Sequence, residues 1–111
     1  MLELLVREHG VDPNTRTPGG LTALHYAALS GYSDVVRFLH ELGADVNIRA
    51  RNKHAGWTAL HFAAKGGSVQ VGRVLVSELG ARPDALTDDG HNALDVARDN
   101  NETNFIRNLR S

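Results

Sequence analysis

The chain has 111 residues, no cysteine and a formal net charge of −1, which suits a single domain. The lack of cysteine excludes a disulfide framework, a cysteine-based zinc site and a thiol nucleophile. The near-zero charge argues against nucleic acid or an anionic membrane as partner, and no apolar run approaches transmembrane length.

The first predicted element is a helix over residues 2–9, which ends at Gly10. It has no preceding partner helix, so Leu2 and Leu5 would be left partly uncovered. Stacked repeats normally end in polar capping units. We therefore expect the N-terminal side to continue into a longer array or another segment.

A short helix is predicted after Thr22, which is a good N-cap residue. Leu24, Ala27 and Ala28 follow at helical spacing and form one apolar stripe. Gly31 supplies the left-handed conformation that ends such a helix. The small alanines allow a second helix to approach closely.

A longer helix is predicted next, and Gly43 ends it. Its apolar residues cover more of its circumference and are Val35, Val36, Phe38, Leu39 and Leu42. An extended loop leads from there to Gly56. One unit is therefore a short helix, a turn, a longer helix and a loop.

The nine-residue phrase at 20–28 recurs at 56–64 and, with substitutions, at 90–98, in steps of 36 and 34 residues. A period in this range indicates a solenoid. In the third copy Asn92 is the predicted cap and Asn101 stands where Gly31 and Gly67 stood. The interval from Gly67 to Gly80 is one residue longer than that from Gly31 to Gly43, which predicts an extended second helix or a bulge.

The phrase Thr-Ala-Leu-His-x-Ala-Ala before Gly, with Gly-Ala-Asp-Val-Asn at 43–47, resembles the ankyrin repeat. The resemblance implies an all-α solenoid of stacked antiparallel helix pairs with projecting hairpin-like loops. We predict that residues 1–111 form one domain, with a partial unit at 1–19, units at 20–55 and 56–89, and a C-terminal capping unit at 90–111. The resemblance also implies a non-enzymatic, intracellular protein-interaction module, monomeric or part of a longer chain, without catalytic residues or cofactor.

His25 and His61 are the obvious candidates for catalysis or zinc binding. They lie in different units, no His-x3-His pair exists, and no nucleophile or orienting group converges on them. The family resemblance implies a structural hydrogen bond between units instead. We therefore predict no metal site.

The loop at 48–56 is the sharpest departure from the repeat. The stretch from Asp45 to Gly56 is three residues longer than that from Asp12 to Gly20. Ankyrin units often carry Asp three residues before the loop glycine, and here those positions hold Thr17, Lys53 and Thr87. The cations concentrated in the loop suit an acidic or phosphate-bearing partner, although a solvated loop that aids solubility is an equal alternative.

The predicted partner-binding set combines this loop with the concave face. Trp57 adjoins the loop and is either a binding hot spot or a packing residue, while Tyr26 and Phe62 hold equivalent positions that often pack between units. The set comprises Arg16, Tyr26, Arg49, Arg51, Lys53, His54, Trp57, Lys65 and His91.

Three further expectations complete the sequence analysis. Asn47 resembles the position that the asparaginyl hydroxylase of the hypoxia pathway modifies, with a loop-stabilising role as the alternative. The main functional rival is a structural spacer that contacts neighbouring domains of a larger protein. A second rival, nucleic-acid binding through the basic loop, is disfavoured because Asp88 and Asp89 make the third loop acidic.

Overall fold

The computed structural model describes residues 14–51 and 55–99. Within these ranges the chain forms helices and no strand, which agrees with the predicted all-α class. The predicted helix at 2–9 and residues 100–111 of the predicted capping unit lie outside the described residues. The helices are α1 (Ala23–Ser30), α2 (Ser33–Glu41), α3 (Ala59–Gly66), α4 (Val69–Arg73), which continues as a π-helical segment (Val74–Glu78), and α5 (Ala93–Asp99).

Helices α1 and α3 begin in the same way, as the repeated phrase predicts. Thr22 and Thr58 are the N-caps, and each forms a capping box with the histidine three residues later. The backbone N–H of Thr22 donates to Nδ1 of His25 at 3.0 Å, and Thr58 donates to His61 at the same distance. The histidines therefore satisfy backbone donors that a helix start would otherwise leave unpaired.

Helix α5 keeps this capping arrangement with different residues. Asp95 stands where the first two copies have histidine, and its Oδ2 accepts from the backbone N–H of Asn92 at 3.0 Å. In return, the side chain of Asn92 accepts from the backbone N–H of Asp95 at 2.8 Å. The predicted cap at Asn92 is confirmed.

The helices form two layers. Helices α1, α3 and α5 pack side by side as the inner layer, while α2 and α4 with its π-helical segment form the outer layer. Two-residue turns join each pair, and their glycines, Gly31 and Gly67, have φ angles of 81° and 70°. The largest fully buried apolar side chains are Phe62, Leu24, Leu39, Leu60, Leu75, Val36, Val71 and Val74.

The inner helices approach each other closely at Gly66. A Cβ atom added there would overlap the carbonyl oxygen of Leu29 in α1. Because the contact is with backbone, no side-chain rotation would relieve it. The predicted close approach of α1 and α3 thus depends on this glycine as well as on the alanines.

The extra residue of the second unit is accommodated as a bulge. In the π-helical segment the backbone N–H of Leu79 donates to the carbonyl of Val74, an i→i−5 bond of 3.1 Å. The segment brings Glu78 against Arg37 of α2, where Nη2 and Oε2 lie 2.9 Å apart. The Arg37 guanidinium holds the pKa of Glu78 below its ordinary value.

Candidate interaction surface

Three hairpin-like turns project from one edge of the helical stack, at 17–21, 50–57 and 87–91. In the first hairpin the N–H of Thr17 donates to Leu21 O at 2.7 Å, and the N–H of Gly20 donates back to Thr17 O at 2.8 Å. The third repeats these bonds at 2.8 and 2.9 Å, between Thr87 and His91 and between Gly90 and Thr87. Three positions separate threonine from glycine in each.

The departure from Asp at these two positions does not remove the loop hydrogen bonding. The Thr87 hydroxyl accepts from the backbone N–H of His91 at 3.1 Å. The Thr17 hydroxyl lies 3.4 Å from the corresponding N–H of Leu21. A threonine side chain therefore occupies the place expected of the family's carboxylate in both hairpins.

The second hairpin closes on a different residue from the one predicted. The backbone N–H of Ala50 donates to Trp57 O at 2.7 Å, and the N–H of Gly56 donates to Ala50 O at 2.9 Å. Ala50 is therefore the counterpart of Thr17, and aligning Lys53 with it was wrong. Six positions separate Ala50 from Gly56, so the second hairpin has three more residues between its closing residues than the first and third.

Two of the predicted binding residues, Lys53 and His54, lie outside the described residues. Arg51, at the start of the insertion, is exposed, and its backbone N–H donates to Gly20 O of the first hairpin at 3.1 Å. No ion pair of the Arg51 side chain is found within the described part of the chain. Its guanidinium is the described loop cation most available to a partner.

Arg16 connects the first two hairpins. Its Nη1 donates to the carbonyl of Arg49 at 2.6 Å and to that of Gly20 at 3.1 Å. Arg16 thus has a structural contact that its sequence neighbourhood did not suggest. The second and third hairpins are joined by a backbone hydrogen bond, in which the N–H of Asp88 donates to Ala55 O at 3.2 Å.

Arg49 connects the second and third hairpins through its side chain. Its Nη2 lies 3.0 Å from Oδ1 of Asp88, and both side chains are about half exposed. The pair lies against Gly56, where an added Cβ would meet Asp88 Oδ1 at 2.5 Å and Arg49 Nη2 at 2.7 Å. The sequence predicts Arg49 on a basic loop and Asp88 on a separate acidic loop, whereas the structure brings the two side chains together.

His25 and His61 are fully buried and have the structural role that the resemblance implied. Nε2 of His25 lies 3.0 Å from the carbonyl of Ile48, and Nε2 of His61 lies 3.0 Å from that of His91. Because Nδ1 accepts a backbone N–H in each ring, Nε2 carries the proton and donates. Burial lowers the pKa of both histidines and outweighs the opposing effect of these hydrogen bonds.

The inner face contains an aromatic cluster that extends toward solvent. The Phe62 ring is buried and lies 5.2 Å from the His25 ring and 5.1 Å from that of Trp57, between centroids. Trp57 is partly buried, and Lys65 Nζ lies 5.7 Å from the centroid of its ring. Phe62 is therefore a packing residue, and Trp57 both packs on the core and carries an exposed cation on its face.

Tyr26 differs from Phe62 although the two hold equivalent repeat positions. Its side chain is 45% exposed, against 1% for Phe62. His91 is also exposed, while its carbonyl accepts from His61. The structure thus leaves Tyr26, Lys65 and His91 accessible on the inner side of the molecule.

Asn47 connects the loops of two successive units. Its Oδ1 accepts from the backbone N–H of Arg82 at 2.9 Å. Asn14 makes the equivalent contact one unit earlier, where its Oδ1 accepts from the N–H of Asp45 at 2.7 Å. The loop-stabilising alternative considered for Asn47 is therefore supported by its contacts.

The described residues contain no group of three or more histidine or acidic side chains arranged to hold a metal ion. None of the helices in the described part of the chain is long and apolar enough to cross a membrane. The polar features described for this surface are ion pairs and hydrogen bonds between loops.

Comparison with known proteins identifies the repeats. A model of ankyrin repeats (many copies) matches residues 4–55, and a model of ankyrin repeats (3 copies) matches residues 48–111. The human protein phosphatase 1 regulatory subunit 27 is 45% identical over 85 residues, which cover 77% of this chain and 53% of that protein. This chain thus spans about half of that relative.

Two other relatives match shorter shares of much longer proteins. Mouse protein phosphatase 1 regulatory subunit 12A is 42% identical over 70% of this chain and 7% of its own length. A probable E3 ubiquitin-protein ligase of Oryza sativa subsp. japonica is 46% identical over 67% of this chain and 14% of its own length. Two phosphatase regulatory subunits and a probable ligase thus each match about two thirds or more of this chain.

Proposed function

Because the chain belongs to the ankyrin repeat family, we propose that it binds a partner protein or peptide through its hairpin edge and its inner helical face. The observation that carries the proposal is that the second hairpin has three more residues between its closing hydrogen bonds than the first and third hairpins. Loops on a rigid scaffold are where such modules vary their binding residues. The repeats act as a protein-interaction module.

Charge favours an acidic partner. Arg51 lies at the insertion without an ion pair in the described ranges, and Lys53 and His54 add to it in sequence. Cations at a projecting tip speed the encounter with an oppositely charged surface and help fix its orientation. Tyr26 and Lys65 then extend the proposed contact over the inner face.

The role proposed for residues 1–111 is that of one monomeric domain inside the cell, without catalytic activity. It keeps the division into units at 1–19, 20–55, 56–89 and 90–111. The rival role, an intramolecular spacer, is not favoured, because the relatives include phosphatase regulatory subunits.

A charge reversal tests the loop. The partner is first captured from native cell extract with the chain as bait, and its affinity is then measured by titration calorimetry. We expect Arg51→Glu to weaken binding at least about tenfold, because it places repulsion where the proposal has attraction. Arg73→Glu, on the exposed side of the outer helix α4, makes the same change in net charge and should leave the affinity unchanged.

Equal affinities for the Arg51→Glu variant and the unaltered protein would remove the basic loop from the proposal. A synthetic peptide of residues 48–57 gives a second measurement, because it should compete with the whole protein for the captured partner. Melting temperatures of both variants check that the loop change does not act through folding.

The relatives supply one partner to test directly. Because two relatives are protein phosphatase 1 regulatory subunits, the second candidate function is binding to a protein phosphatase 1 catalytic subunit. This chain should then co-elute with the purified catalytic subunit in gel filtration, and it should change the activity of that subunit toward a phosphoprotein. Absence of a complex at micromolar concentrations would leave only the ankyrin repeats in common with those subunits.

Asn47 remains a proposed hydroxylation site. To modify Asn47, a hydroxylase would have to detach the Asn47 side chain from the backbone of Arg82, because Oδ1 of Asn47 accepts from the N–H of Arg82 in the folded chain. Mass spectrometry after incubation with the asparaginyl hydroxylase should detect one added oxygen on the tryptic peptide that contains Asn47. An unchanged mass would leave Asn47 with its structural role alone.

A further inference from the structure

A cleft of about 220 Å³ lies beside the second hairpin, between two successive loops. One loop leads from α2 to the second hairpin, and the other leads from the π-helical segment to the third hairpin. The cleft is lined by Asn47, Arg49, Thr58, Arg82, Asp84 and Ala85. It therefore has an arginine on each of its two loops.

Both arginines already contact a carboxylate of the chain itself. Arg49 Nη2 lies 3.0 Å from Asp88 Oδ1, and Arg82 Nε lies 3.9 Å from Asp84 Oδ1. The Asp88 contact shows that Arg49, in its present position, takes a carboxylate at hydrogen-bond distance. Because both pairs are at least half exposed, an incoming carboxylate can replace either aspartate at little energetic cost.

Hydrogen bonds fix the backbone from which these arginines extend. The carbonyl of Arg49 accepts from Arg16 at 2.6 Å, and the N–H of Arg82 is held by Asn47 Oδ1 at 2.9 Å. The second bond also links the two walls of the cleft. A site whose walls are already in place loses less entropy when a ligand binds.

We propose that an acidic side chain of the partner enters this cleft and pairs with Arg49 instead of Asp88, which does not itself line the cleft. Asp88 is then an intramolecular competitor that sets the affinity of the site. The ligand is an Asp or Glu carboxylate carried on a peptide, and a phosphoryl group shares its chemistry. This inference rests on the proposed function, since it assigns the place where the acidic partner's charge binds.

Asp89 provides a matched control for Asp88. The two are adjacent and exposed, and Asp89 makes no ion pair with any residue in the described ranges. Asp88→Asn and Asp89→Asn each remove one negative charge from the third hairpin. Only the first releases Arg49, so a difference between them reports competition and not long-range charge.

The probe is a synthetic peptide of alternating glutamate and glycine, titrated into the whole chain and followed by the NMR signals of the arginine Nε–H groups. We expect the signals of Arg49 and Arg82 to shift. We expect Asp88→Asn to bind the peptide roughly three- to fivefold more tightly than Asp89→Asn, as befits the loss of an exposed competing ion pair. Adding Arg49→Gln to Asp88→Asn should abolish the gain.

Equal affinities for the two aspartate variants would overturn the inference, as would a gain that survives Arg49→Gln. Inorganic phosphate and a phosphoserine peptide are run alongside, and signals that respond to phosphate but not to the glutamate peptide would also overturn it. A larger gain for the glutamate peptide than for phosphate supports it. Thermal unfolding of each variant shows that the compared proteins are folded.

The result is separable from that for the proposed function. If Arg51→Glu abolishes capture of the partner while the two aspartate variants bind alike, only the cleft assignment fails. If the aspartate variants differ as expected but Arg51→Glu leaves capture unchanged, the cleft binds carboxylates and the basic loop is not the partner site.

Discussion

The inner helices and the hairpin edge come from the same repeated phrase, but they preserve it to different degrees. His25 and His61 make their capping and loop contacts at the same distance of 3.0 Å in both units. At the edge, the second hairpin spans six positions where the first and third span three. Each histidine is buried and, through its loop contact, links two successive units, whereas the hairpins lie in loops, where added length is tolerated.

The largest expected effect is on the free energy of unfolding, and it compares Phe62 and Tyr26, which hold equivalent positions in two successive units. Phe62→Ala should lower the free energy of unfolding by about 3–5 kcal/mol, because it leaves a cavity between α1 and α3. Tyr26→Ala, at the equivalent and exposed position, should lower it by less than about 1 kcal/mol. Urea unfolding measures both, and similar losses would mean that the two units pack alike at this position.

The second prediction concerns pH and the buried histidines. Their pKa lies below the unfolded value of 6.5, so the unfolded chain binds more protons as the pH falls below that value. Their neutral, folded form therefore contributes stability above pH 6.5 that is lost as the pH falls through the folded pKa. We expect urea midpoints to be lower in acid than at neutral pH.

His61→Gln identifies the source of that pH dependence. It should lower the free energy of unfolding at neutral pH by about 1–3 kcal/mol, because it removes hydrogen bonds in a buried site. It should also flatten the dependence of stability on pH in the acid range. A variant that keeps the full slope would assign the effect to groups other than His61.

The third prediction uses two hairpin glycines with nearly the same backbone. Gly56 and Gly90 have φ angles of 84° and 83°, so alanine at either position costs about 1–2 kcal/mol of backbone strain. A Cβ at Gly56 would also meet the backbone nitrogen and the carboxylate of Asp88 and the guanidinium of Arg49, whereas at Gly90 no atom of the described residues lies within 4 Å. Gly56→Ala should therefore cost about 1–3 kcal/mol more than Gly90→Ala by thermal unfolding. Equal costs would mean that the backbone of the third hairpin and the ion pair both shift readily.

The smallest effect on stability is expected at the insertion. Deleting residues 52–54 gives the second hairpin the length of the first and should change the free energy of unfolding by no more than about 0.6 kcal/mol, since loop-closure entropy depends weakly on length. Partner binding should be lost all the same. If the shortened chain still binds its partner with full affinity, the insertion is not part of the binding surface.

Most of the inner layer was predictable because its signals are local. Thr22 and Gly31 bracket α1 at positions where only certain residues fit, and the same holds for Thr58 and Gly67 around α3. Counting residues between glycines also predicted either an extended second helix or a bulge in the second unit, and the structure shows the bulge at Val74–Glu78.

The edge was less predictable because its contacts join residues far apart in the chain. The Arg49–Asp88 pair spans 39 positions and the Arg16 bond to Arg49 spans 33, and neither has a local signal. The insertion also shifted the alignment, so counting back from Gly56 gave Lys53 where the hydrogen bonds give Ala50. In a repeat of variable length, the backbone bonds that close each hairpin define equivalence better than the distance to the next glycine.

The π-helical segment has a consequence for exchanging units within this protein. It adds one residue to the outer helix of the second unit and places Glu78 against Arg37 of the first. A chimera that replaces residues 67–80 with a copy of residues 31–43 would remove that extra residue, and with it the alignment that places Glu78 against Arg37. The two units are therefore close copies on the inner side but are not interchangeable, and a tandem array built from either one alone would stack with a different outer surface.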